Sequence, residues 1–195
     1  VDEFAWTLRN ELDYEREGRN ADTFRRQFAD DPNVVVPVVH WSHTTGRVLT
    51  MQRLRGANID DAEGLDRLGV DRHDLAVRSA NLVLAQVFEH GFYHADPHPG
   101  NFLVQEGGAI GVLDFGMVGR IMGTTRFDLV DLMSAVVDQS PERAVDAFEA
   151  LGVSGVEESR AALVRDVGHL LDYFVGRPAN ELRMDDLAER IFGLE

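Results

Sequence analysis

The chain contains no lysine: all 19 of its basic residues are arginine. Any chemistry that needs an ammonium group to hold phosphates must find it outside these 195 residues. Cysteine is missing too, which excludes disulfides and thiolate chemistry and fits a reducing compartment. Arginine is outnumbered by 34 acids, giving a formal charge of −15. With no basic face to neutralise phosphates, nucleic acid is not an expected partner, and the acidity reads as a solvated surface. No apolar run approaches the roughly 18 residues a spanning helix requires, and no signal-peptide pattern is present. The segment therefore reads as soluble. Val1-Asp2-Glu3 opens directly into a helix without an initiator methionine, as expected of a piece excised from a longer protein. The length allows one domain, or one lobe of a larger one, with a real core.

What is present falls into periodic segments. From Asp2 to about Ala29, apolar residues at Phe4, Leu8 and Leu12 recur at helical intervals. The helix they predict has a weak point at Gly18, costing ~1 kcal/mol against alanine. Asp30-Asp31-Pro32-Asn33 is a turn. Val34 to Trp41 reads as a strand, demoted to an edge or broken by Pro37. Thr44-Thr45-Gly46 then turns the chain into a second strand, Arg47 to Leu54, antiparallel to the first. Gly56 to Gly69 reads as a polar connection with a short helical piece. Asp71 caps a helix running to His90, with Ala76, Ala80, Val83, Leu84 and Val87 on one face and Gly91 just past its end. From Met122 the pattern is helical throughout, at about 122–139, 141–151, 156–175 and 180–192. The first of these carries Phe127, Val130, Leu132, Met133 and Val136 as its apolar residues, and Ser140-Pro141 opens the second as N-cap and first-turn proline.

The chemistry concentrates in Tyr93-His94-Ala95-Asp96-Pro97-His98-Pro99-Gly100-Asn101, followed by Asp114-Phe115-Gly116. Between them lie a strand at Phe102–Gln105, a turn at Glu106-Gly107-Gly108, and a second strand ending on the acid. Phosphoryl transfer needs one carboxylate to accept the proton of an attacking hydroxyl, and an amide plus a second carboxylate to hold magnesium against the phosphates. Asp96 and Asn101 are five apart, as in the H-R-D-x-x-x-x-N loop of protein kinases, and Asp114 opens a D-F-G. Asp96 is thus the candidate proton acceptor, Asn101 and Asp114 are the candidate metal ligands, and Phe115 and Gly116 supply packing and a turn. His94 and His98 read as structural. The acids of the first helix either coat a solvated face or present a glutamate to the phosphate-binding lysine of a kinase. Asp13 and Glu17, four apart, share a face, and Glu11 lies roughly 120° round from Glu17. That lysine lies upstream of this chain, or the domain is not a working kinase.

A rival class is a metal-dependent hydrolase, because alternation puts His94, Asp96 and His98 on one face of a strand. Pro97 and Pro99 break any such strand, and Asn101 and Asp114 would go unexplained. Ser140-Pro141-Glu142 matches the Ala-Pro-Glu of an activation segment by chance. Ala95 stands where protein kinases place the arginine that reads loop phosphorylation, so that regulation is not expected.

The catalytic-type loop, the stretch Val112-Leu113-Asp114-Phe115-Gly116-Met117-Val118-Gly119 and the helix Asn10-Glu11-Leu12-Asp13-Tyr14-Glu15-Arg16-Glu17 resemble the UbiB family. These are atypical, protein-kinase-like proteins tied to ubiquinone biosynthesis. The resemblance covers nearly the whole chain, including Val48-Leu49-Thr50-Met51. It implies an α+β, protein-kinase-like fold with a partial N-lobe over residues 1–55 and a mainly helical C-lobe over 56–195. Glu11 and Asp13 match the family's E-x-D motif, which meets an N-terminal K-x-G-Q segment, and Glu17 matches the glutamate that pairs with the strand lysine. Asp96 matches the catalytic aspartate, and Asn101 and Asp114 match the metal ligands. Met51 matches the gatekeeper, and Gln52 and Leu54 match the hinge that offers its backbone to adenine. ATP and Mg2+ are the implied cofactors, with quinone-precursor lipids or quinone-biosynthesis proteins as further partners. The parent is expected at a cytoplasmic face, with membrane contact only through regions outside this chain. The K-x-G-Q segment, the alanine-rich phosphate loop and the strand lysine are missing here, so the segment alone is expected to be inactive. Gly18 stands where the family often has alanine. Two alternatives stay open: a small-molecule phosphotransferase of the aminoglycoside or choline kinase type, and a pseudokinase scaffold without chemistry.

Overall fold

The computed structural model describes residues 13–121, 123–152 and 160–174. The chain divides into two compact units, Val1–Arg120 and Ile121–Glu195. In the first unit, helix α1 (Tyr14–Gln27) starts where the Asp13 carboxylate accepts from the Arg16 N–H. Glu15 and Glu17 in its first turn, and Arg25 and Arg26 in its last, suit the helix dipole. Ala21, Phe24 and Phe28 recur at i, i+3 and i+7 and are buried. The expected earlier turns, with Phe4, Leu8 and Leu12, lie outside the described residues.

The expected strand pair between Val34 and Leu54 exists only in pieces. Strand β1 is limited to Val34–Val35, and the buried Pro37 follows with no N–H to give a ladder. Besides a bridge at the turn, Thr45 opposite Val48, pairing resumes at the bridge of Val39 opposite Met51. It is flanked by bonds of 2.8 Å from His40 N–H to Thr50 O and from Gln52 N–H to Val38 O. Trp41–His43 form a 3-10 turn instead of extending the strand.

The polar connection folds into strand β2 (Ala57–Asn58) and helix α2 (Ala62–Leu68). Asp61 caps α2 on the Gly64 N–H, and Gly69 ends it at a φ of 65°. Asp71 caps helix α3 (Arg72–Leu84) on the N–H groups of His73 and Asp74. This helix runs on as a π-helical stretch, Ala85–His90. The buried face is Leu75, Leu82 and Gln86, and not the expected row, in which Val83 is 50% and Leu84 44% exposed. The core takes the ridge holding two leucines rather than the alanine-rich ridge one position on. Gln86 lies four residues after Leu82 and so falls on the same ridge, at the start of the π-helical stretch.

Strands β3 (Phe92–His94), β4 (Phe102–Val104), β5 (Ile110–Val112) and β6 (Val118–Arg120) complete the unit. The expected β4–β5 hairpin forms, turning through Gly107 and Gly108 at positive φ. It lies in a sheet of order β1-β5-β4-β2, with β1 parallel to β5 and the other pairs antiparallel. β3 and β6 make a separate antiparallel ribbon. The links β3–β4 and β5–β6 therefore both cross from the ribbon to the sheet, between neighbouring strands at each end. These two crossings are the residues 95–101 and 113–117 that carry the motifs. Phe24, Val104, Ile110, Val112 and Phe115 form the driest part of the core beneath them.

In the second unit, helices α4 (Thr125–Val137), α5 (Pro141–Ala150) and α6 (Arg160–Phe174) pack through Ala135, Ala144, Val145, Val167 and Leu171. Of the apolar residues expected on α4, Leu132 and Val136 join this core, whereas Phe127, Val130 and Met133 are exposed. Pro141 takes the first position of α5, though the Ser140 side chain makes no capping bond. The helix expected over 180–192 lies outside the described residues. The fold is α+β, as the sequence implied. No helix among the described residues is long and apolar enough to cross a membrane.

Phe24 has its ring centroid 5.1 Å from Phe92 and 5.2 Å from Phe115, so it ties α1 to strand β3 and to the second crossing. Phe24→Ala is expected to destabilise this unit by about 3–5 kcal/mol, read as a lowered midpoint in urea. A midpoint within error of the parent would show that α1 is not part of this core.

Candidate functional site

The loop after β3 is fixed by its own backbone. The His94 Nδ1 accepts from the Asp96 N–H at 3.2 Å, so Nε2 carries the ring proton and donates to Leu113 O at 3.3 Å. The buried Gln86 orients His94 further, its Oε1 accepting from the His94 N–H at 2.8 Å. With both nitrogens engaged inside the protein, His94 is not a metal ligand, which removes the alternating His-Asp-His reading. The Asp96 carbonyl accepts from His98 N–H at 2.8 Å and from Asn101 Nδ2 at 3.1 Å. Asp96 is thus held at both its N–H and its C=O while the residue itself is exposed. Its carboxylate meets no protein partner among the described residues.

Asn101 links the two crossings. Its N–H donates to His98 O at 2.9 Å, and its carbonyl accepts from Leu113 N–H at 2.7 Å, one residue before Asp114. Because Asn101 Nδ2 is held by Asp96 O, the amide oxygen is the atom left for a ligand. Asp114 adopts a left-handed backbone, φ 54°, a conformation that aspartate tolerates better than most residues. One carboxylate oxygen accepts from the Gly116 N–H at 3.0 Å. An amide oxygen and a carboxylate oxygen on adjoining crossings are hard donors, the kind that magnesium takes.

The peptide of Phe115 is gripped by α1 on both sides. Glu17 Oε1 accepts from the Phe115 N–H at 3.3 Å, and Asn20 Nδ2 donates to Phe115 O at 2.8 Å. Residues three apart share a helix face, so one turn of α1 satisfies both backbone groups. Asn20 and Gln86 are neighbours of the candidate site that the sequence reading missed. Each is a polar residue placed among the apolar positions of a helix, Asn20 beside Ala21 and Phe24, Gln86 beside Leu82. That pattern was the available signal.

The remaining candidates occupy different places. Asp13 caps α1 and lies 3.8 Å from Arg19. Glu11 lies outside the described residues. Met51 packs on the core, and Leu54 Cδ1 stands 2.9 Å from where a Cβ on Gly111 would sit. The Val38 N–H is taken by Oε1 of the Gln52 side chain at 3.3 Å. The structure thus ties Glu17, Asp96, Asn101 and Asp114 into one hydrogen-bonded frame, and leaves Met51, Gln52 and Leu54 on the strand-like segment beside it.

The frame holds three carboxylates, and among the described residues no arginine pairs with any of them. Burial pushes the Glu17 carboxyl above its ordinary range; the Phe115 N–H opposes this, and the Asp114 charge adds to it. A carboxyl that binds its proton more tightly in the folded chain favours folding most at low pH. That contribution is complete below the ordinary value of 4.5 and is lost as pH rises through the raised value. Glu17→Gln keeps an acceptor for Phe115 but removes the charge. Its stability relative to the parent is expected to improve between about pH 4 and about pH 7, read by thermal unfolding at each. A difference that does not change with pH would refute the assignment.

Residues 1–148 match the model of the ABC1 atypical kinase-like domain. The chain is 39% identical over 186 residues to the protein sll1770 of Synechocystis sp., covering 95% of this chain and 32% of that protein. It is 40% identical over 154 residues to ACTIVITY OF BC1 COMPLEX KINASE 8, chloroplastic, of Arabidopsis thaliana, covering 78% and 20%. The probable serine/threonine-protein kinase abkB of Dictyostelium discoideum is 36% identical over 145 residues, covering 69% and 22%. The chain thus spans about a third or less of these curated relatives. Among solved structures, the complex of Rv3197 with erythromycin from Mycobacterium tuberculosis superimposes with a TM-score of 0.67 at 25% identity, over 90% of this chain and 44% of that one. With the loop, the hairpin and the Asp-Phe-Gly turn all inside the matched span, the chain belongs to the ABC1 atypical kinase-like family, the UbiB-type proteins its motifs resemble.

Proposed function

We propose that the whole protein binds Mg-ATP and transfers or hydrolyses its terminal phosphoryl group, with the chemistry centred on Asp96, Asn101 and Asp114. The observation that carries this reading is the bond from Leu113 N–H to Asn101 O, at 2.7 Å, which sets an amide oxygen and the Asp114 carboxylate on neighbouring crossings. The family and its kinase-named relatives support a phosphotransferase.

In this reading Asn101 and Asp114 hold magnesium, which when bound neutralises charge on the phosphate oxygens. Asp96 accepts the proton of the attacking hydroxyl or water as the new P–O bond forms and the bond to the leaving phosphate breaks. Its backbone is anchored at both ends, so the carboxylate is presented without a loop rearrangement. Glu17 waits for a strand lysine supplied from outside this chain, and holds the Phe115 peptide in the meantime. Met51, Gln52 and Leu54 form the adenine hinge, Glu11 and Asp13 meet the K-x-G-Q segment, and the lobes divide at residue 55. A role in isoprenoid-quinone synthesis, with a quinone-precursor lipid or a quinone-biosynthesis protein as partner, follows from the family resemblance.

The test is Mg-ATP binding and phosphate release by the whole protein. Asp114→Asn is expected to weaken Mg-ATP binding at least about tenfold, a loss of about 1.4 kcal/mol. Asp96→Asn is expected to keep binding and to lower turnover by about 10²–10⁴. Binding without any turnover in the parent would favour the pseudokinase scaffold. Indifference of both binding and turnover to both changes would make the loop architecture alone.

A further inference from the structure

Trp41 has no part in the site as described, yet it lies across α1 at the turn that holds Glu17. Gly18 is buried, and a Cβ added there would stand 2.9 Å from Trp41 Cη2, 3.3 Å from its Cζ2 and 3.4 Å from Leu49 Cδ1. One turn on, Asp22 Oδ2 accepts from the Trp41 indole N–H at 2.8 Å. Gly18 and Asp22 are four apart and form one ridge of the helix, and the indole spans it. Asp22 is steadied in turn by Arg25, whose Nε lies 3.6 Å from its other oxygen. The indole is displayed by the 3-10 turn Trp41–His43, whose position is fixed by His40 N–H to Thr50 O and by the Thr50 hydroxyl donating to His43 O at 2.7 Å.

Helix α1 is therefore held on two adjoining faces, by the Phe115 peptide on Glu17 and Asn20 and by the indole on Gly18 and Asp22. A glycine in mid-helix costs about fivefold in the folding equilibrium against alanine, so its presence at a buried position calls for a compensating contact. Here that contact is the closest approach of the ring. We propose that Trp41 is a positioning residue: through Gly18 and Asp22 it sets the rotation of α1, and so the placement of Glu17 against the Asp114–Phe115 turn. The consequence for nucleotide binding rests on the function proposed above; the mechanical claim does not.

A double-mutant cycle on the 195-residue chain tests the mechanical claim first. With Trp41 in place, Gly18→Ala is expected to lower the folding equilibrium constant, because the new methyl meets the ring. In the Trp41→Ala chain the same change is expected to raise it about fivefold, as for an open helix position. Equal gains in both backgrounds overturn the clamp. The second readout is the backbone amide resonance of Phe115, which reports its bond to Glu17. Trp41→Ala is expected to move it and Trp41→Phe, which keeps a ring over Gly18, to restore most of the shift. A Phe115 resonance unmoved in Trp41→Ala reduces the tryptophan to surface packing and sinks the positioning role. Should Trp41→Ala not fold, Asp22→Ala takes its place in the resonance test, with the same two outcomes. In the whole protein, Trp41→Ala is expected to weaken Mg-ATP binding at least about fivefold. If the parent binds no Mg-ATP the functional reading fails, while the cycle and the resonance still decide the clamp.

Discussion

The peptide of Phe115 is the fixed point of the first unit. Its N–H and C=O both sit against a buried ring, where an unpaired backbone group costs about 1–3 kcal/mol, and both partners come from α1, through Glu17 and Asn20. The ring itself is fully buried, packed tilted against Phe24 and 6.3 Å from His94. Those three constraints leave no freedom to the residue before it. Asp114 accepts a left-handed backbone because the next residue is already committed, and its carboxylate is oriented by that turn together with the bond it accepts from the Gly116 N–H. A rotation of α1 would orphan two backbone groups at once, so the helix and the Asp-Phe-Gly turn form one mechanical piece.

The same logic extends to the other crossing. β3 pairs with β6 and β4 with β5, so the links between them must run side by side, and His94 and Asn101 bond them together at Leu113. Asp96 gains its placement from this pairing. Its N–H is held by a histidine whose tautomer is set from the other crossing, and its C=O by the same asparagine whose carbonyl accepts from Leu113. The candidate side chains are the ends of a backbone network, and the network is what the fold supplies.

Much of this was legible in the sequence because its signals are local. Five residues from Asp96 to Asn101, a Gly-Gly turn and an acid ending a strand define the crossings with no knowledge of the core. Asp61, Asp71 and Gly69 punctuate their helices by capping chemistry that depends on neighbours alone. What stayed hidden depends on distant partners. The face of α3 could be chosen only by knowing that the Leu75, Leu82 and Gln86 ridge, and not its neighbour, meets the core. Pro37 was read as demoting or breaking its strand, and the strand does break there, leaving two paired residues before it and a bridge at Val39 after it. Asn20 and Gln86 looked like ordinary polar positions, since the groups they satisfy lie 95 residues away in one case and 8 in the other.

The charge of the frame follows from the missing lysine. Glu17 cannot pair with a lysine of this chain, and on α1 Arg19 pairs with Asp13 and Glu15, Arg25 with Asp22, and Arg26 bonds the Thr23 hydroxyl. Burial and the neighbouring Asp114 charge therefore act on Glu17 with only one N–H to oppose them, and its proton affinity rises. Any cation brought beside Asp114 reverses the sign of that neighbour's influence, since an opposite charge within about 4–6 Å favours the ionised carboxylate. In the proposed function, a cation held at Asn101 and Asp114 would thus favour the ionised form of Glu17, whose carboxylate accepts from the Phe115 N–H. The acceptor that α1 offers to this amide is at its strongest when Glu17 is charged, because charge-assisted hydrogen bonds are roughly twice as strong as neutral ones. A cation at the turn would accordingly tighten the grip of α1 on the residue that aims its own ligand.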